Sequence, residues 1–324
     1  MKIKAIRVFN RFIGRVLLKV FNVYMGKLTF KEIDQMAKFF GNVGYFLAFG
    51  PKKVIRDNFA IAFPDMPHED REALMKRFFY IFSVESFELL HFFKNPERFD
   101  TNITIEGLEH LDAALQQNNG VIAISAHFDN FPLLMAKLTR LGYSVNVVAR
   151  PLRDQESSDY IQNMRTAVGI KTIFSYPRRE CVTQIIKSLR ENQIVLMLVD
   201  QNFGGDGGVW IEFFGKLAAT PTGAAVFASR TSAAVIPLYI VRTDLGRYTI
   251  YIEKMVPLER YANQQQEQLV NTARYSQIIE RWIRRYPAHW AWIHKRWKSR
   301  PNREARTKPH RIYPEQKIKE VSHG

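Results

Sequence analysis

GVIAISAH at residues 120–127 and QIVLMLVD at residues 193–200 decide how this chain is read. Each is a short apolar run that breaks off on a titratable side chain, His127 in the first and Asp200 in the second. Runs of this length, rich in Val, Ile and Leu, suit strands buried on both faces, as in a parallel sheet covered by helices. Working outward, NITIEG (102–107), SVNVVAR (144–150), KTIFS (171–175) and AAVIPLYIV (233–241) repeat the texture. Between them the spacing predicts helices near 108–117, 131–141, 155–168, 178–191 and 221–232. Strand alternating with helix at this interval means an α/β fold with a mostly parallel central sheet flanked by helices. Upstream, residues 66–93 predict one long buried helix, opened by Pro67 and the acidic pair Glu69 and Asp70, with Leu74, Phe78, Ile81, Phe82, Phe87 and Leu90 at helical spacing. Downstream, 235–241 and 247–254 form a hairpin-like pair, and a helix near 264–285 follows.

The chain has 324 residues, 46% of them hydrophobic, enough to bury a core without covalent help, and this excludes disordered, collagen-like and disulfide-stapled classes. Its one cysteine, Cys181, has no partner for an intramolecular disulfide, which fits a reducing compartment without excluding the periplasm. The net charge of +16 is uneven. Residues 1–60 hold 12 basic and 3 acidic side chains, and residues 281–324 hold 13 and 3, whereas the stretch between holds 22 and 25. A neutral body with two basic ends points to an anionic partner at the ends: a phospholipid surface, a phosphate-bearing substrate, nucleic acid or an acidic protein.

Residues 3–25 resemble a signal peptide only superficially. Lys2, Lys4, Arg7, Arg11, Arg15 and Lys19 recur every three or four residues, so there is no uninterrupted apolar core and no small-residue cleavage site. On a helix these cations form one stripe, with Ile3, Ile6, Phe9, Ile13, Leu17, Val20, Phe21 and Tyr24 around the other side. A second apolar patch, FFGNVGYFLAFG at 39–50, is too short to span a bilayer, which needs roughly twenty residues. The expected organisation is an amphipathic membrane-attachment region over 1–50, a catalytic-sized domain over 51–300, and a loosely structured basic tail over 301–324. Interfacial, monotopic attachment is favoured; the alternative is that both apolar faces pack on the rest of the protein.

Ligands in open α/β sheets bind beyond the carboxyl ends of strands, where His127, Arg150 and Asp200 fall. A histidine, an arginine and a carboxylate on one rim would make an anion site with a general base. His127 takes a proton from a hydroxyl at neutral pH if a carboxylate holds its other nitrogen, and Asp200 or Asp129 is the orienter, with Asp200 favoured. Asn130 is placed to cap a helix that has Pro132 in its first turn. Arg150 is either a bidentate phosphate clamp or a solvated loop residue. FGGDGGVW at 203–210 fits no nucleotide-binding pattern; its glycines either admit a ligand to the backbone or make a turn. Thr220, Pro221, Thr222 and Gly223 lead into a helix whose free N–H groups can receive an anion or an oxyanion. Zinc lacks its spacings, since there is neither HExxH nor a cysteine pair, and His289 and His294 alone do not make a site.

Several of these pieces together resemble a family. The His127 motif, Asp200-Gln201-Asn202, Phe213-Phe214-Gly215 through Thr222-Gly223, Trp292-Ile293-His294-Lys295-Arg296-Trp297-Lys298 with Arg300-Pro301, and Val54-Ile55-Arg56-Asp57-Asn58-Phe59 with Phe63-Pro64 look like the bacterial lipid A biosynthesis late acyltransferases. The resemblance spans roughly 40–301 and lies in the order and spacing of the motifs rather than in any one of them. It implies an enzyme on the cytoplasmic face of the inner membrane, monotopic or peripheral. Such an enzyme moves a fatty acyl chain from acyl carrier protein or acyl-CoA to a hydroxyl of a phosphorylated lipid, and needs no cofactor. It further implies that His127 is the base and that Arg150, Asn130, Gln201, Asn202, Thr222, Gly223 and Arg296 meet substrate. The family carries Asp or Glu five residues after the histidine; here that residue is Pro132, which leaves the orienting carboxylate to Asp200 or Asp129. Other acceptors, such as a lysophospholipid or aminolipid, remain open, as does a chain that binds lipid without catalysis. A nucleic-acid module built on the basic tail with Trp290, Trp292 and Trp297 leaves His127 and Asp200 unexplained, so no nucleic acid is expected.

Overall fold

The computed structural model describes residues 24–152, 154–204 and 208–301; the cationic stripe of residues 2–19 and the tail from 302 lie outside the described residues. A 3-10 turn, Met25–Lys27, precedes α1 (Phe30–Leu47), α2 (Phe49–Ala62) and α3 (His68–Lys94). Thr29 begins α1 with a capping box: its hydroxyl accepts from the Glu32 N–H, and the Glu32 carboxylate accepts from the Thr29 N–H at 2.7 Å. The short α4 (Arg98–Asn102) leads to β1 (Ile103–Glu106), α5 (Leu108–Leu115), β2 (Val121–Ser125) and α6 (Phe131–Arg140). Next come β3 (Val145–Ala149), α7 (Gln155–Ala167), β4 (Lys171–Phe174), α8 (Arg178–Arg190) and β5 (Ile194–Leu198). The chain continues through β6 (Gly208–Phe213), β7 (Lys216–Pro221), α9 (Gly223–Thr231), β8 (Ala234–Asp244), β9 (Arg247–Ile252) and α10 (Gln264–Arg285) to a 3-10 turn at Pro287–His289.

Seven strands form one sheet in the order β1-β9-β8-β2-β5-β3-β4. β8, β2, β5, β3 and β4 are mutually parallel; β9 turns back antiparallel to β8 and pairs parallel with β1 at the edge. The expected α/β architecture is therefore the observed one. Both faces are covered, which is why the strands read as unbroken apolar runs. Ile122 and Ile124 of β2 join Val195, Met197 and Val235 beneath α8, α9 and α10, while Val121 and Ala123 join Ile194, Leu196 and Ile236 beneath α5 and α6.

α1 buries Ile33 and Ala37 against Val84, Phe87 and Leu90 of α3. Its far end points outward: Phe39, Phe46 and Leu47, with Phe49 of α2, are 64%, 66%, 68% and 74% exposed. Among the described residues no helix is long and apolar enough to cross a membrane.

One element departs from the sequence reading. Residues 208–221, read as a glycine-rich loop and the approach to a helix, form an antiparallel β6–β7 hairpin. Its two-residue turn, Phe214-Gly215, has φ of 53° and 70°, the geometry of a primed hairpin turn without its usual Asn-Gly signal. Phe214 is held there by packing on Trp292 and Phe63 and by its N–H donating to the Glu280 carboxylate at 2.6 Å.

Candidate active site

Register brings the two titratable strand ends together. Ser125 of β2 lies opposite Leu198 of β5, so the residues two positions on, His127 and Asp200, are neighbours on the same rim. The Asp200 carboxylate is buried and accepts three hydrogen bonds. Oδ1 receives the His127 ring at Nδ1 (2.9 Å); Oδ2 receives the His127 backbone N–H (2.9 Å) and the Trp290 indole N–H (2.7 Å). Burial alone would raise its pKa, but the His127 charge, the ring and backbone bonds from His127 and the indole outweigh burial and hold the carboxyl well below the usual range. An ionised Asp200 only accepts, so Nδ1 carries a proton, and in the neutral ring Nε2 keeps its lone pair. The His127 side chain is 25% exposed.

That lone pair faces Gln201, whose side-chain nitrogen sits 3.0 Å from His127 Nε2 and 3.3 Å from His294 Nε2. The two imidazoles lie edge to face at 4.7 Å, and burial followed by the His127 charge lowers the His294 pKa, keeping this second ring neutral. His294 sits where it does because the Asn58 amide of α2 donates to the carbonyls of Trp292 (2.7 Å) and His294 (2.8 Å). The same segment is stitched to the His127 turn by Ala291 N–H to the His127 carbonyl (2.9 Å) and Asp129 N–H to the His289 carbonyl (2.7 Å).

Asp129 orients a different histidine. It adopts φ of 47°, and its carboxylate accepts from the Asn130 N–H (3.0 Å), the Arg242 N–H (2.7 Å) and His289 Nδ1 (2.6 Å). Burial would raise Asp129, but the His289 charge and bond lead the groups that hold it below the usual range. Beside it, burial and then the Asp129 charge push Glu85 well above its ordinary value, so Glu85 keeps its proton and hydrogen-bonds Asp129. Glu85, Asp129 and His289 present ligand atoms within 4.8 Å of one another, a grouping whose geometry can hold a cation.

The other residues singled out from sequence are dispersed. The Asn130 side chain does not cap α6; it donates inward to the Glu85 carbonyl at 2.9 Å, buried away from the rim. Arg296 is no surface clamp. It is fully buried, donates to the Ala219 carbonyl (2.7 Å) and the Thr220 hydroxyl (2.5 Å), and lies over the Phe213 ring; burial pushes its pKa down to about 10. Asn202 exchanges two hydrogen bonds with Ser299. Thr222, buried, precedes Gly223, the first residue of α9, and gives that helix no side-chain cap. Arg150 is exposed just beyond β3, two strands from β2. Trp290 and His294 were quoted from sequence without a role here; the cue was a tryptophan-rich segment, but only the fold puts it against β2 and β5.

Sequence comparison places the chain among known proteins. A family profile described as bacterial lipid A biosynthesis acyltransferase matches residues 3–299. The chain is 26% identical over 253 residues to the lipid A biosynthesis palmitoleoyltransferase of Escherichia coli K12, covering 77% of this chain and 79% of that one. Identity to the lipid A biosynthesis lauroyltransferase of the same organism is 23% over 252 residues, covering 77% and 79%. A shorter match, 27% over 136 residues, joins 42% of this chain to 43% of the phosphatidylinositol mannoside acyltransferase of Mycobacterium tuberculosis.

Proposed function

The chain belongs to the bacterial lipid A biosynthesis acyltransferase family and is an acyltransferase, and from that premise we propose that it moves a fatty acyl chain from a thioester to a hydroxyl of a lipid A precursor or related phosphorylated lipid, with His127 as general base. The donor is an acyl carrier protein or CoA thioester. The observation that carries the reading is the hydrogen-bonded pair of His127 and buried Asp200, which leaves Nε2 of a part-exposed imidazole as a proton acceptor.

The chemistry balances on these groups. The acceptor hydroxyl displaces the Gln201 amide from Nε2 and gives its proton to His127 as its oxygen bonds to the thioester carbonyl carbon. The imidazolium so formed is stabilised by Asp200. Collapse of the tetrahedral oxyanion breaks the carbon–sulfur bond, and His127 returns the proton to the departing thiolate. A thioester is already activated, so no acyl-enzyme intermediate is required. Asp200 and His127 are the catalytic pair; Asp129 positions the turn that carries them.

Attachment to the cytoplasmic face of the inner membrane, peripheral or monotopic, is supported by the basic ends and by the exposed Phe39, Phe46, Leu47 and Phe49, with Lys52 over the Tyr45 and Phe49 rings. A lysophospholipid or aminolipid acceptor is the second reading. Pro132, standing where the resemblance expects an acid, favours a divergent branch, and the named relatives already differ in what they acylate. The test is in vitro transfer by the full chain in detergent, offered acyl carrier protein and CoA thioesters with a phosphorylated lipid precursor and a lysophospholipid. A product heavier by one acyl group is expected; none from any pair would overturn the proposal.

A further inference from the structure

Two imidazoles, not one, turn their Nε2 atoms toward the Gln201 side chain, whose nitrogen lies 3.0 Å from His127 Nε2 and 3.3 Å from His294 Nε2. With the Asp200 carboxylate holding the Nδ1 proton, Nε2 of the neutral His127 ring can only accept, so it is the amide NH2 that faces it. That NH2 group also faces His294. Its two hydrogens go one to each ring, and His294 must accept at Nε2 and carry its own proton on Nδ1. Burial and then the His127 charge lower the His294 pKa, which keeps that lone pair available at neutral pH. The backbone beneath the second ring is fixed: the His294 N–H donates to the Ala291 carbonyl (3.1 Å), and the His294 carbonyl accepts from the Arg296 N–H (2.9 Å) and the Asn58 amide (2.8 Å). His127 packs edge to face on His294 at 4.7 Å and on Phe131 at 5.7 Å, and of these two neighbours only His294 carries a polar atom. Gln201 is exposed, so its amide regains water when a ligand takes its place.

A lone hydroxyl that displaces the amide fills half of this arrangement. It has one hydrogen, which goes to His127, and the His294 lone pair loses its donor. A group with a second donor hydrogen close by fills both halves, as the amide does. We propose that His294 determines acceptor specificity: the lipid that is acylated carries another O–H or N–H on the carbon next to that of the reacting hydroxyl, and His294 Nε2 receives this second hydrogen bond while His127 Nε2 takes the reacting proton. A site built to receive a hydrogen bond discriminates against the analogue that lacks the donor more sharply than an apolar pocket discriminates by shape. The same bond fixes the rotation of the acceptor, and so the direction from which its oxygen meets the thioester carbon. Which of the two donors reacts rests on the acyl-transfer reading above; the pairing of two donors with two imidazoles does not.

Turnover and binding are measured separately for that reason, on the full chain in detergent. Two acceptors are compared, each with one hydroxyl and one phosphate: N-decanoylserinol phosphate, whose amide N–H lies on the carbon next to the hydroxyl's, and 2-O-decylglycerol phosphate, which has an ether oxygen there. Wild type is expected to favour the amide about tenfold in kcat/KM. His294→Phe keeps a ring and removes the acceptor atom, and should erase that preference; His294→Gln keeps an acceptor oxygen and should retain most of it. A preference that survives in His294→Phe, or equal losses at both acceptors, would mean a structural role and overturn the assignment. The ether compound with NH2 in place of its hydroxyl is a third acceptor. If wild type prefers it to the amide, both hydrogens belong on the reacting atom and the neighbouring-group assignment is overturned. Calorimetry with the first two acceptors, without a thioester, supplies the binding readout. If wild type transfers to neither yet binds the amide about tenfold more tightly, and His294→Phe loses that margin, the function proposed above falls and the His294 assignment stands. Transfer to both at equal efficiency does the reverse, and neither transfer nor selective binding overturns both.

Discussion

Replacing Asp200 with asparagine changes almost no volume, yet the geometry dictates what the new amide must do. Oδ2 of Asp200 receives two donors that cannot turn away, the His127 backbone N–H at 2.9 Å and the Trp290 indole at 2.7 Å. The asparagine oxygen must take that place. Its NH2 then faces His127 Nδ1, which can only accept, so the ring proton moves to Nε2 and the lone pair needed for the acceptor hydroxyl is lost. General-base catalysis contributes about 10²- to 10⁴-fold, and an amide in place of the carboxylate of a serine-protease triad costs about 10⁴ through the wrong tautomer. Asp200→Asn is therefore expected to lower transfer roughly 10³-fold, about 4 kcal/mol of barrier. Stability should fall much less, by about 1–2 kcal/mol, because every polar atom keeps a partner and a buried charge is removed. The assay is acyl transfer at matched folded protein, with thermal melts as the control and Asp129→Asn alongside. Asp129 touches His289 and not His127, so its variant should lose stability before activity. If Asp200→Asn keeps a tenth or more of the activity while Asp129→Asn is inactive and folded, the base is oriented from the local turn and the reasoning here is wrong.

Glu85 supplies a pH signature. Its folded pKa is raised above the unfolded value, so its contribution is full below the unfolded pKa and is lost as pH rises through the folded pKa. Melting temperatures from pH 5 to pH 9 should fall more steeply for wild type than for Glu85→Gln, whose amide donates to Asp129 at every pH; parallel slopes would refute a protonated Glu85. Arg296→Ala leaves the Ala219 carbonyl and Thr220 hydroxyl short of a donor and opens a cavity beside Phe213, so a loss of about 2–4 kcal/mol by denaturant melts is expected. A chain beginning at Thr29 should leave membranes in moderate salt while the full chain stays; equal retention by both would remove the cationic stripe of residues 2–19 from the attachment.

What could be read from sequence follows from where the information is local. Buried strands in a helix-covered sheet are apolar throughout, so β2 and β5 and the polar residues that end them stand out at once. Register is not local, and it alone makes His127 and Asp200 neighbours. The β6–β7 hairpin was hidden because its turn uses phenylalanine at positive φ, a conformation sustained by distant contacts with Trp292, Phe63 and Glu280 rather than by turn chemistry. Arg296 reads from sequence as a residue that meets substrate; its burial depends on carbonyl and hydroxyl partners on β7, some 76 residues earlier. From sequence Asp129 is the alternative orienter of His127; the 287–297 segment folds back against it and gives it His289 instead.

On the proposed function, His127 makes this chain an acyl-transfer catalyst. The most direct test is lipid mass spectrometry of bacteria expressing wild type and His127→Ala at matched protein levels. A lipid heavier by one fatty acyl group, found only with wild type, is the predicted result, and its fragmentation identifies acceptor and chain length together. Identical lipid profiles in a host that supplies the acceptor would contradict the account and leave a lipid-binding protein in place of an enzyme.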